Sequence, residues 1–172
     1  MTVYVVHPVS DDIKAAEQWG RIDYVNHRYI NGDELNGENL PPEFKGACAA
    51  STSIYFLLEK GQYSAFHRIC SDEVWHFYDG HSLRIYEIES SGNLLIHKLG
   101  NNPEQGETFQ CIIKAGNWFA AKVADGGDFT LAGCTVSPGF DFRDFELADG
   151  AMLAAEYPQH RECIAELSRK KE

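Results

Sequence analysis

Basic residues are scarce in this 172-residue chain: 15 Lys and Arg stand against 26 Asp and Glu, a formal net charge of -11. Such a surface repels phosphate backbones and anionic bilayers. That argues against sequence-independent binding to nucleic acid or membrane and leaves room only for a local basic pocket. No stretch approaches the roughly 20 apolar residues of a membrane helix. The opening Met1-Thr2-Val3-Tyr4-Val5-Val6-His7-Pro8 has neither the basic start nor the apolar length of a signal peptide. Cysteine pairs are missing too. Cys48, Cys70, Cys111, Cys134 and Cys163 are odd in number, widely scattered and never form a CxxC. This is unlike a zinc knuckle or a secreted disulfide framework, so reduced, mostly buried thiols in a cytoplasmic protein are expected. There is also no Gly-rich phosphate loop, no G-x-S-x-G elbow and no H-E-x-x-H.

What is present is the balance of a globular protein, with 44% hydrophobic and 24% charged residues. The length suits one domain spanning 1–172, large enough to bury a core without metal or disulfide staples. From about Ser51 to Ser137, short runs rich in aromatic and β-branched residues alternate with turn signals. The runs are Ser53–Leu58, Tyr63–Ile69, Val74–Tyr78, Leu83–Ile88, Leu94–Leu99, Thr108–Ile113, Trp118–Val123 and Phe129–Val136. Eight short strands at this spacing, with no helical pattern between them, predict an antiparallel sandwich or barrel. The ends read as helical. Ser10 is a candidate N-cap with Gly20 as the stop, Asp149 can cap a helix carrying Met152, Leu153 and Ala155, and Pro158 can start another with Cys163, Ile164 and Leu167 as its apolar stripe. Gly32 to Gly46 reads as a long loop, and Phe140 to Leu147 as an extended segment that closes or joins subunits.

The densest polar-aromatic stretch runs from Gly61 to Gly80. If Cys70-Ser71-Asp72 turns a hairpin, Ile69 faces Glu73 and His67 faces Trp75. His67, Ile69, Glu73, Trp75 and Phe77 then share one face, and Phe66, Arg68, Val74, His76 and Tyr78 the other. A His and a Glu converging among bulky apolar groups make a plausible pocket floor, where burial and mutual charge tune both groups.

Gly61, five residues, His67, five residues, Glu73, six residues and Gly80 follow the first cupin motif. With Ser53-Ile54-Tyr55-Phe56-Leu57-Leu58, Ser71-Asp72-Glu73-Val74-Trp75-His76-Phe77 and Gly133-Cys134-Thr135-Val136-Ser137-Pro138-Gly139-Phe140-Asp141-Phe142, the stretch from about Ser51 to Leu147 resembles an uncharacterised cupin-like family, a domain of unknown function of the cupin-5 type. The resemblance implies a mainly β fold: a double-stranded β-helix, or jelly-roll barrel, with short flanking N- and C-terminal helices. It also implies a homodimer and a small-molecule cavity inside the barrel. It implies no known reaction. Metal-binding cupins carry two His and a Glu in the first motif and a third His in the second. Here the second His position is Ile69, and Lys114-Ala115-Gly116-Asn117-Trp118-Phe119 puts Phe119 at the third, so two of four ligands remain and no metal or other cofactor is expected.

His67 and Glu73 are thus candidate catalytic residues, with Tyr55, His67, Glu73, Trp75, Gln110 and Trp118 as candidate ligand contacts. Each also has an ordinary structural role open to it, His67 as a barrel histidine donating to Glu73, and Tyr55, Gln110 and Trp118 as core residues with a polar handle. His76 is expected to face away. Arg68, Arg84 and Lys114 are open either to a phosphate or to solvent. His7, His27, His81, His97 and His160 form no spacing that defines a site. Three functions follow. One is a metal-independent binder of a small molecule, with a nucleotide or nucleotide-sugar as the leading ligand by fold analogy. Another is an isomerase or epimerase acting beside a carbonyl, with His67 as base and Tyr55 as proton donor, although the Arg-Gly-Leu-His signature of the deoxysugar epimerases is absent. The third is an interaction module with a vestigial cavity.

Overall fold

The computed structural model describes Ala49 and residues 51–169. The helix expected after Ser10, the loop from Gly32 to Gly46 and Cys48 lie outside the described residues. Among them, nine strands run in chain order: β1 (Thr52–Glu59), β2 (Tyr63–Arg68), β3 (Asp72–Gly80), β4 (Leu83–Ile88), β5 (Leu94–Leu99), β6 (Gln110–Ile113), β7 (Trp118–Val123), β8 (Phe129–Ser137) and β9 (Glu146–Leu147). Two helices follow, α1 (Gly150–Glu156) and α2 (Arg161–Leu167). The eight expected runs are all strands, with ends moved by up to two residues. Phe140 to Leu147 departs from expectation. Asp141 accepts from the Arg143 N–H and tightens Phe142–Asp144 into a 3-10 turn, leaving only Glu146–Leu147 extended.

The strands form two antiparallel sheets, one ordered β1-β8-β3-β6 and the other β5-β4-β7-β2-β9. Their inner faces meet over one core, to which Phe56 and Leu58 of β1, Trp75 and Phe77 of β3, Ile85 of β4, Phe119 and Ala121 of β7, and Ala132 and Cys134 of β8 all contribute. Alternation along each strand explains the layering, since successive side chains point to opposite faces of the sheet. A second core lies on the outer face of the five-stranded sheet, where Phe66, Ile88, Trp118 and Ala120 meet Leu153 of α1 and Ile164 and Leu167 of α2. Asp149 caps α1 through the N–H groups of Ala151 and Met152. Of the residues expected on that helix, Leu153 takes the buried position and Met152 is 73% exposed.

The expected β2–β3 hairpin does not form. The chain arches at residues 69–71, so that β2 enters the five-stranded sheet beside β7 and β9, while β3 enters the other between β8 and β6. Ser71 secures the arch by donating its hydroxyl to the Pro138 carbonyl at 2.7 Å. Alternation within each strand still holds, so His67 and Glu73 both point inward, but from opposite walls of the barrel. At the far end of β3, Gly80 sits at φ +92, and a Cβ there would strike the Phe129 carbonyl, so only glycine allows the β3–β4 turn to pack so closely on β8. No helix among the described residues is long and apolar enough to cross a membrane.

Candidate functional site

His67 is placed by the alternation of β2, in which Phe66 goes outward to the helices and His67 inward. Its ring packs against Phe119, its cross-strand partner, at 4.1 Å between centroids, and against Phe145 at 5.3 Å. Nδ1 lies 2.7 Å from the Ala65 carbonyl oxygen. A carbonyl only accepts, so this bond puts the proton of the neutral ring on Nδ1 and leaves Nε2 as a bare acceptor. Burial pushes the imidazole down to about 4, with the Ala65 carbonyl pulling weakly the other way. The ring is therefore neutral at physiological pH.

Glu73 points inward from the opposite sheet at 8% exposure, with Trp75 and Phe77 beyond it on the same face. Burial pushes its carboxyl up to about 7, opposed only by a hydrogen bond with the Cys134 thiol. The neighbouring thiols are pushed up in turn. Cys134 lies well above the ordinary thiol value and Cys111 at about 12, in both cases chiefly through burial, so neither is a thiolate nucleophile. Trp75 is 2% exposed and packs edge-on to Phe56 at 5.4 Å. Its indole N–H is buried without a hydrogen-bond partner, an expensive state in an apolar interior.

A second acid faces inward on the five-stranded sheet. Glu87 is 3% exposed and accepts from Asn117 Nδ2 at 2.8 Å and the Lys114 N–H at 3.1 Å, and its other oxygen lies 2.6 Å from His97 Nε2. Burial alone would raise this carboxyl, but the bonds from His97, Asn117 and Lys114 outweigh it and hold the group below its ordinary value. Glu87, Phe119 and His67 are successive cross-strand partners on β4, β7 and β2, and form one inward row. Sequence reasoning did not find the Glu87–His97 pair. The signal was available, because the Ser91-Gly92-Asn93 turn sets a hairpin in which Glu87 faces Leu95 and His97 faces Ile85, leaving the two polar groups diagonal on one face.

Three expected ligand contacts lie elsewhere. Tyr55 is on the outer face of the four-stranded sheet, 39% exposed and 5.5 Å from the Tyr78 ring. Gln110 is on that same outer face, its Nε2 3.1 Å from His76 Nδ1. Parity decides both, since Cys111 and Ile113 take the inward positions of β6, and Ile54 and Phe56 those of β1. Trp118 faces the helices rather than the barrel, under the Arg68 guanidinium at 4.4 Å. His76 does face away from His67 and Glu73, its Nε2 3.0 Å from the Thr135 hydroxyl oxygen. Of the possible phosphate contacts, Arg68 pairs with Glu146 and Lys114 with Asp72, each at 2.7 Å.

The cupin metal pattern does not fit these residues. Phe119 fills the space beside His67 where a third histidine would stand, and Ile69, at the second histidine position, is an apolar side chain buried at 5% exposure. Among the described residues, no three His, Cys, Asp or Glu side chains come together in a way that could hold an ion.

Two antiparallel sheets closed over a shared core, with a histidine and a glutamate entering from opposite walls, define a jelly-roll barrel of the cupin type. The sequence profile described as Cupin superfamily (DUF985) matches residues 21–148, and the chain belongs to that family. It is similar to the solved structure of a protein from Shewanella oneidensis, with 36% identity, 96% of this chain and 100% of that chain covered, and a TM-score of 0.73. A hypothetical protein from Leishmania major is 33% identical over 72% of this chain and 78% of its own, with a TM-score of 0.67. A cupin 2 domain-containing protein from Halorhodospira halophila shares the fold at 16% identity and a TM-score of 0.51, with 72% and 74% of the two chains covered. No curated protein matches the chain.

Proposed function

We propose that this cupin is a metal-independent binding protein for a small molecule held in the barrel between His67 and Glu73. The observation that carries the reading is Glu73, a carboxyl buried in an apolar interior with only a thiol for a partner. Buried carboxyls are ordinarily paired or well hydrogen-bonded, and one left with so little stability to show for it belongs to a site rather than to the scaffold. The bare Nε2 of His67 and the unpartnered indole N–H of Trp75 add an acceptor and a donor to the same interior.

A nucleotide or nucleotide-sugar is supported only by fold analogy. Its phosphates would find no Lys or Arg on the inward faces among the described residues, so an anionic ligand is the weaker choice. The isomerase reading keeps His67 as a neutral base. It loses Tyr55 as proton donor, because that side chain lies on the outer face, and a carboxyl holding its proton to about 7 takes the donor's place in Glu73.

A thermal-shift screen of EDTA-stripped protein against amines, polyols, sugars, carboxylates, nucleotides and divalent ions tests the reading. A ligand at a hundred times its Kd adds roughly 2.7 kcal/mol. A shift that survives EDTA and disappears in His67→Ala is expected, whereas shifts with divalent ions alone would overturn metal independence. The homodimer is part of the same proposal, since open sheet edges call for cover. Sedimentation equilibrium is expected to give twice the chain mass, and a monomer at working concentration would remove the dimer.

A further inference from the structure

The two helices cover the outer face of the five-stranded sheet. The outer face of the other sheet, β1-β8-β3-β6, instead leaves Tyr55, Tyr78, Ile112 and Phe129 exposed. At its centre Gly133 lies between Tyr55 on β1 and His76 on β3, its two cross-strand partners. A Cβ on Gly133 would stand 2.6 Å from the Tyr78 ring, so the missing side chain is what lets that ring lie over β8. Tyr78 then meets Tyr55 at 5.5 Å between ring centroids and stacks with His76 at 6.4 Å. Beside the rings, a row of polar groups crosses all four strands. Gln110 Nε2 donates to His76 Nδ1 at 3.1 Å, which puts the proton of the neutral imidazole on Nε2, 3.0 Å from the Thr135 hydroxyl oxygen. The Thr135 and Ser53 hydroxyls are in turn 3.2 Å apart.

A solvated sheet face ordinarily alternates polar and charged side chains outward. This one carries charge only at its ends. Asp72 pairs with Lys114 at one end, Glu59 and Asp79 stand at the other, and the outward positions between them hold no Lys, Arg, Asp or Glu. In a chain of net charge -11, two copies repel one another, and an uncharged face is where that repulsion is least. The polar atoms of the row are already bonded to each other. An opposing surface can therefore dry them without leaving orphans, the cost that ordinarily confines hydroxyls and amides to a wet rim. The four strands present about 500 Å² in projection, and side-chain relief brings that towards the roughly 800 Å² each partner gives to a standard interface.

We propose that this face docks a second copy of the chain, the two four-stranded sheets stacking about a two-fold axis so that the Tyr55–Tyr78 pair and Ile112 of each protomer are buried by the other. This rests on the homodimer reading above and names the surface that makes the dimer.

Sedimentation equilibrium of the full chain, read together with hydroxyl-radical footprinting, tests it. Tyr55→Glu and Ile112→Glu each bring an unpaired charge into the contact twice, once from each protomer. Each should raise the dimer dissociation constant at least about a hundredfold. Both side chains are exposed in the protomer, so neither substitution empties the core. Met152→Glu, which adds the same charge on α1, should leave the constant unchanged. In the unmodified protein, Tyr55 and Tyr78 should be protected from oxidation above the dissociation constant and oxidised freely below it. A dimer indifferent to both glutamates, or tyrosines oxidised equally at the two concentrations, overturns the face and leaves the dimer standing. Tyrosines protected equally at both would mean that residues 1–48 of the same chain occupy the face, which overturns the inference as well. A monomer at every concentration overturns the dimer and its surface together.

Discussion

Glu73→Gln is expected to raise the stability of the free protein at pH 8 by about 2–3 kcal/mol. The carboxyl moves from an ordinary 4.5 to about 7 on folding. Below pH 4.5 it is protonated in both states and costs nothing. Between 4.5 and 7 the unfolded chain loses its proton first, so stability falls by about 1.4 kcal/mol per pH unit and is about 3 kcal/mol lower above pH 7. His67 works in the opposite sense. Its value drops from 6.5 to about 4 on folding, so its contribution is fully present above pH 6.5 and is lost as the pH falls towards 4. From pH 4.5 to 6.5 the two slopes oppose and largely cancel. Removing one partner should expose the other. Glu73→Gln should lose stability on acidification through that window, and His67→Gln should gain it. Urea unfolding in half-unit pH steps reads both slopes. Parallel profiles for Glu73→Gln and the parent protein would mean that Glu73 is not held protonated in the fold.

Phe119→Ala should cost about 3–5 kcal/mol, the usual penalty for emptying an aromatic site in a packed core. Phe119 is 1% exposed, sits at the centre of the inward row between Glu87 and His67, and touches the imidazole directly. The loss has a second reading. With the ring gone, water reaches His67 and weakens the burial that depresses it, so its titration should move from about 4 back towards 6.5. Proton NMR of the imidazole follows that change in whatever fraction folds, and Phe119→Leu, which keeps most of the volume, should leave it nearly in place. A destabilisation under about 1 kcal/mol, well below the usual range, would show that Phe119 is not packed as described.

Strand positions were plain in the sequence because local alternation and turn residues set them. Ser91-Gly92-Asn93 and Ala115-Gly116-Asn117 each mark a turn between strands. The inward parity of His67 and of Glu73 was legible for the same reason. Their sheet membership was not. A tight Cys70-Ser71-Asp72 connection looks like a hairpin locally, and only the long-range seating of β8 beside β3, with Ser71 held by Pro138, makes it an arch. Tyr55, Gln110 and Trp118 failed as pocket residues on the same ground. An aromatic or amide on a strand is equally suited to either face, and the face is chosen by neighbours such as Phe56, Cys111 and Phe119, whose inward seats exclude them. Glu87 and His97 stand ten residues apart, a spacing that carries no motif, and only the β4–β5 register makes them diagonal neighbours.

The order of the strands has a consequence for synthesis. In each sheet a strand made late in the chain lies between two made early: β8 separates β1 from β3, and β7 separates β4 from β2. A nascent chain that has emerged only as far as β5 holds β1 and β3 with no partner between them, and their backbone donors and acceptors wait on a segment still inside the ribosome. Neither half of the barrel can be stored as a finished piece, so closure is a single late event, dominated by pairing across most of the domain. Until then the edges of β1 and β3 that β8 covers have no partner, which is when such a protein most needs protection from aggregation.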